Sequence, residues 1–97
     1  SANVLSRRRL KAARALPEGS EIRNEALLLM ALDPDEYGDW RLQAAQGLPA
    51  GSEACTTALQ SIAQNKRIFK GYRLQAAQEL PLTDPVRKAL LKKALLK

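Results

Sequence analysis

Three arginines, Arg9, Arg41 and Arg73, stand 32 residues apart in a chain of 97 residues, and their type and spacing make them the first candidates for chemistry. A guanidinium takes a carboxylate or phosphate through paired hydrogen bonds, so such a ladder could grip an acidic ligand. In a repeating fold it could equally tie one turn of the chain to the next. The second role is expected for Arg41 and Arg73, with Asp33 and Asp39 as partners for Arg41. A second constellation, Lys66-Arg67-Ile68-Phe69-Lys70-Gly71-Tyr72-Arg73, interleaves cations with aromatics, as sites for single-stranded nucleic acid do for phosphate contact and base stacking. Phe69 and Tyr72 align with Tyr37 and Trp40, whose neighbours are acidic. These aromatics are therefore expected in the core. Arg7, Arg8, Arg9, Lys11 and Arg14 read as a solvated terminal face, with a nucleic-acid arm as the alternative.

The missing residue types are equally informative. With no histidine and a single cysteine, the chain lacks the parts for imidazole acid–base catalysis, a Ser-His-Asp triad or a Cys/His zinc site. Cys55 has no neighbouring base, falls at the position of Arg23 and Arg87, and is expected to be a partly buried, inert thiol. Asp35, Glu36 and Asp39 lack the spacing of a calcium loop and read as helix-start charge. No catalytic residue, cofactor or metal ligand is expected, and the chain is not expected to be an enzyme.

Charge is unevenly placed. Residues 1–16 carry five cations and no anion, residues 17–53 carry two cations against eight carboxylates, and residues 54–97 carry nine cations against two, for a net +6. An acidic centre between basic ends repels a phosphate backbone where a continuous basic face would hold it. No window approaches the roughly 18 apolar residues that span a bilayer, and the first residues lack the order of a secretory signal. The expectation is a soluble, cytoplasmic protein with no membrane partner.

These residues are positioned by a repeat. Trp40-Arg41-Leu42-Gln43-Ala44-Ala45-Gln46-Gly47-Leu48-Pro49 returns 32 residues later as Tyr72-Arg73-Leu74-Gln75-Ala76-Ala77-Gln78-Glu79-Leu80-Pro81, identical at eight of ten positions, and Arg9, Leu10, Ala12, Ala13, Leu16 and Pro17 are a worn first copy. Periods of this length mark stacked helical hairpins. Ser20, Ser52 and Asp84 share the register, and each suits the N-cap of a second helix. Pro17, Pro49 and Pro81 end the first helices, and Gly19 and Gly51 give the turns their backbone freedom. The pattern predicts first helices over about 4–16, 39–48 and 71–80 and second helices over about 20–32, 52–64 and 84–96. The second helices are expected to bury Ile22, Ala26, Leu27 and Met30, then Ala54, Ala58, Leu59 and Ile62, then Val86, Leu90, Leu91 and Ala94.

Asp33-Pro34-Asp35-Glu36, followed by Trp40-Arg41-Leu42-Gln43-Ala44-Ala45-Gln46-Gly47-Leu48, resembles the HEAT-like repeat of the short bacterial, phycocyanobilin-lyase type. The resemblance covers nearly the whole chain. It departs where proline follows Leu48, where Asn65-Lys66 replaces a second Asp-Pro, and where Arg8 takes a bulky apolar position. It implies an all-α fold: a right-handed α-α superhelix of three hairpins and about six helices, in one domain over residues 1–97 with copies at about 5–36, 37–68 and 69–97. The chain could be a piece of a longer solenoid. Such repeats scaffold protein complexes, act in chromophore attachment or bind DNA, and their second helices line the concave side.

Projected at about 100° per residue, the outward faces of the second helices differ by copy. Copy one offers Glu21, Asn24, Glu25, Leu28, Leu29 and Leu32, copy two Thr56 and Gln60, and copy three Lys88 and Lys92, a face apolar and acidic at one end, neutral in the middle and basic at the other. The expected function is non-catalytic binding of a peptide or helix of a protein partner. Its apolar anchor would lie toward the leucines and its acidic residues toward the lysines. The alternative is phosphate-backbone binding through Lys66, Arg67, Lys70, Lys88, Lys92, Lys93 and Lys97 together with the N-terminal arginines.

Overall fold

A computed structural model describes residues 2–96, and the side chains from residue 4 onward. The chain is all-α, with helices α1 Ala2–Arg14, α2 Glu21–Leu32, α3 Gly38–Gln46, α4 Glu53–Gln64, α5 Lys70–Glu79 and α6 Pro85–Leu95. The caps fall on the 32-residue register. Ser20 Oγ accepts a hydrogen bond from Arg23 N at 3.3 Å and Ser52 Oγ from Cys55 N at 3.2 Å, each satisfying a first-turn N–H. Asp84 caps α6 by accepting from Val86 N at 2.8 Å. Pro85 then occupies the helix start, where its missing N–H costs nothing.

The turn inside each hairpin is closed by the cap's own N–H on the proline carbonyl, at 3.0, 3.1 and 2.9 Å in copies one to three. Gly19 and Gly51 hold φ of +78°, which side chains with a Cβ resist. Thr83 stands at the same place in copy three, where no described non-glycine residue has positive φ, so that turn follows another path. Between copies, Asp33 Oδ1 accepts from Asp35 N and Asn65 Oδ1 from Arg67 N, both at 2.9 Å. The replacement of Asp33 by Asn65 thus keeps the same side-chain-to-backbone turn.

The hairpins stack in two layers. Helices α1, α3 and α5 neighbour one another in the first layer and α2, α4 and α6 in the second, giving a slab of 41 × 30 × 14 Å. Leu27, Met30 and Ile62 are the largest fully enclosed side chains, and Ala31, Ala44, Ala45, Ala58, Ala76 and Ala77 are sealed between layers. Small residues at these positions let the helices approach closely. Gly38 does the same at the start of α3, where an added Cβ would lie 2.7 Å from Ile68 Cγ2.

Some expected positions differ. Ile22 is exposed, whereas its counterpart Ala54 packs on the core because copy one lies beside it; no described hairpin flanks Ile22. Leu28, expected to face outward, is half-buried against the core. The buried face of α2 is centred on Leu27, Met30 and Ala31, which turns Leu28 inward. Helix α6 has no fully buried residue, and Leu91 is only half-buried. Trp40 and Tyr72 pack on the core as expected, but Tyr37 and Phe69 are exposed. Phe69 meets Tyr72 edge to face at 5.7 Å.

Candidate functional site

The three arginines share one register position and have three different surroundings. Arg9 Nη1 donates to Asp33 Oδ2 and to Glu36 Oε2, both at 2.9 Å. Ser6 also donates to Glu36 through its hydroxyl, so the carboxylate of Glu36 clasps α1 to the turn leading into α3. The N–H of Asp35 and then the guanidinium of Arg9 hold the Asp33 carboxyl below the usual carboxylate range.

Arg41 is buried, and it ties copies one and two together. Its Nε donates to the carbonyl of Ala31 at 2.8 Å and its Nη2 to Ser61 Oγ at 3.4 Å. Burial pulls its pKa down, and the charge of Asp33 opposes that pull. Asp39, the other expected partner, instead accepts from Trp40 N at 3.0 Å.

Arg73 was expected to repeat the work of Arg41 and does not. Its Nε is shut off from solvent with no hydrogen-bond partner among the described residues. It lies in a slot made of two adjoining hollows. One, of about 120 Å³, is lined by Lys70, Arg73, Leu74, Leu90, Lys93 and Ala94; the other, of about 230 Å³, reaches from Arg73 to Ala63, Lys66, Val86 and Ala89. Among the described lining residues four are cations and none is a carboxylate. Where Ser61 offers Arg41 an oxygen, the residue 32 positions later is Lys93.

The stripe expected to bind a partner is dispersed by these contacts. Leu29 is 71% exposed and borders a hollow of about 490 Å³ with Arg9, Ala12, Leu16 and Ala26, between α1 and α2. Leu32, Lys88 and Lys92 are exposed, whereas Asn24 and Thr56 are half-buried. Gln60 is already engaged, its Nε2 donating to Asp84 Oδ2 at 2.9 Å across copies two and three. On the first layer, Arg7, Lys11 and Arg14 ring a hollow of about 370 Å³ beside Trp40 and Gln43.

The position shared by Arg23, Cys55 and Arg87 closes the end of each first helix. Arg23 Nη1 donates to the carbonyls of Arg14 and Leu16 at 3.1 and 3.3 Å, and Arg87 Nη1 to those of Ala77 and Gln78. The Cys55 thiol points at the Ala45 carbonyl at 3.6 Å. Burial, reinforced by the charge of Glu79, pushes this thiol up, away from the thiolate a nucleophile needs. Among the described residues no three His, Cys, Asp or Glu side chains are grouped to hold a metal ion, and no helix is long and apolar enough to cross a membrane.

The chain matches no protein family, no curated protein and no solved structure. The site therefore stands on its own geometry. The Arg73 slot and the Glu36 clasp are what sequence reasoning missed. The substitution of Lys93 for Ser61 in the shared register was the signal for the first.

Proposed function

We propose that the chain is a non-catalytic, cytoplasmic protein-binding module of HEAT-like repeats, wound as a right-handed superhelix, which holds a peptide or helix of a protein partner along α2, α4 and α6. The observation that supports it is a pair of uncovered groups at opposite ends of this layer. Leu29 and Leu32 stand at one end, and Lys88, Lys92 and the 79%-exposed Leu96 at the other. Exposed leucines on α2, which also exposes Glu21 and Glu25, and a cationic end at α6 suit an amphipathic segment with its apolar anchors toward copy one and its acidic residues toward copy three.

Selection of peptides from a random displayed library tests this. Enriched peptides should combine apolar residues with Asp or Glu, and Leu32→Asp, or Lys88→Glu with Lys92→Glu, should each weaken them by about tenfold. Variants that bind like the wild type would sink the proposal. The cations around Trp40 favour a second function, contact with a nucleic-acid backbone. Against it, a random oligonucleotide should bind no tighter than tens of micromolar near ~150 mM salt.

A further inference from the structure

The register position of Arg41 on α3 has one arrangement in copy two that Arg73 on α5 abandons in copy three. In copy two the guanidinium donates to the Ala31 carbonyl and to the Ser61 hydroxyl. In copy three the same group has a lysine where the serine was, two more lysines at the rim, and a buried Nε with no partner among the described residues. Like charges held together, and a buried donor left unmade, are each unfavourable. The last third of the chain contains two carboxylates, and both are spoken for elsewhere. Glu79 accepts from Gln46 Nε2 at 2.9 Å and Asp84 from Gln60 Nε2 at 2.9 Å.

The geometry points to a carboxylate-binding subsite at this slot: the terminal amino groups of Arg73, flanked by Lys66, Lys70 and Lys93, receive an Asp or Glu side chain of the docking protein segment, and Leu74 and Leu90 receive its apolar neighbour. The inference rests on the protein-binding function proposed above and adds its anchoring contact. The chain itself shows which anion this register position takes, because Arg9 is met there by two carboxylates at 2.9 Å. The shape of the slot favours the same ligand. Its apolar walls, Leu74, Leu90 and Ala94, match the methylenes of an acidic side chain. A long phosphate backbone would have to continue past the acidic centre of the chain.

Fluorescence anisotropy with three labelled probes tests the assignment. They are an amphipathic helical peptide with Glu and Leu on one face, the same peptide with Gln for Glu, and an oligothymidylate. The Glu peptide should bind at least about tenfold tighter than its Gln counterpart, and Arg73→Gln should erase that difference while Arg67→Gln, which removes the same charge outside the slot, should not. Lys93→Glu should fill the slot from within, raising the melting temperature and abolishing Glu-peptide binding. Glu-peptide binding that survives Arg73→Gln, or is unaffected together with melting by Lys93→Glu, overturns the subsite and leaves the protein-binding function standing. Failure of both peptides to bind the wild type removes the function and the subsite together. Oligothymidylate binding that exceeds the peptide's and is lost with Arg73→Gln assigns the slot to phosphate and overturns both. In the free protein, a through-hydrogen-bond NMR coupling from Arg73 Nε–H to the Ala63 carbonyl carbon would show that the slot closes on itself, and would also overturn the subsite.

Discussion

Arg41 and Arg73 hold one register position and differ in what each would leave behind if removed. Arg41 is 3% exposed and donates to a buried carbonyl, so Arg41→Ala orphans the Ala31 oxygen and empties the space between copies. The expected loss is about 2–3 kcal/mol, or a melting temperature lower by about 8–24 °C for a domain of this size. Arg73→Ala should stay within about 0.5 kcal/mol, since no internal bond is lost. Equal effects on melting would make the two arginines equivalent and remove the basis of the slot. Asp33 carries the pH dependence. Its folded pKa lies below the unfolded value near ~3.9, so its contribution is complete above that value and is lost as the pH falls through the folded pKa. Asp33→Asn should therefore flatten the acid limb of the stability curve below about pH 4, which a pH series of urea melts measures.

The hairpins separate what local sequence dictates from what neighbours decide. Six helices, their caps at Ser20, Ser52 and Asp84, and their prolines were legible because each answers a local need of the backbone. The outward face was less legible. Ile22 and Leu28 lie on either side of the buried stripe, and which one turns in depends on whether another hairpin lies alongside. Gln60 likewise reads as an outward polar residue until Asp84 is seen to accept its amide. The turns yield a direct check. Gly51→Ala should cost about 1–2 kcal/mol through its positive φ, and Thr83→Gly in the differently shaped third turn should bring no gain. Helix α6, without a fully buried residue, should exchange its amide protons faster than α4, which has five. Slower exchange in α6 would mean that its apolar face is covered in solution.

Among the described residues each hairpin touches only its neighbours, so stability is the sum of each hairpin and its contacts to the next. Copy two, flanked on both sides, should be the last to open, and the terminal copies the first. Leu48→Ala in copy two should cost about 2–5 kcal/mol, and calorimetry should show the transition broadening as the central link weakens. The repeat period made the architecture readable, but the slot arose from a departure at one position, which periodicity by itself averages away. Copy two also carries the chain's one cysteine, buried at 8% exposure with its sulfur against a helix carbonyl. A thiol reagent in excess therefore acts as a clock for the central hairpin alone. Its labelling rate counts the moments when that hairpin comes apart, and a ligand bridging copies two and three should slow the clock in proportion to its occupancy.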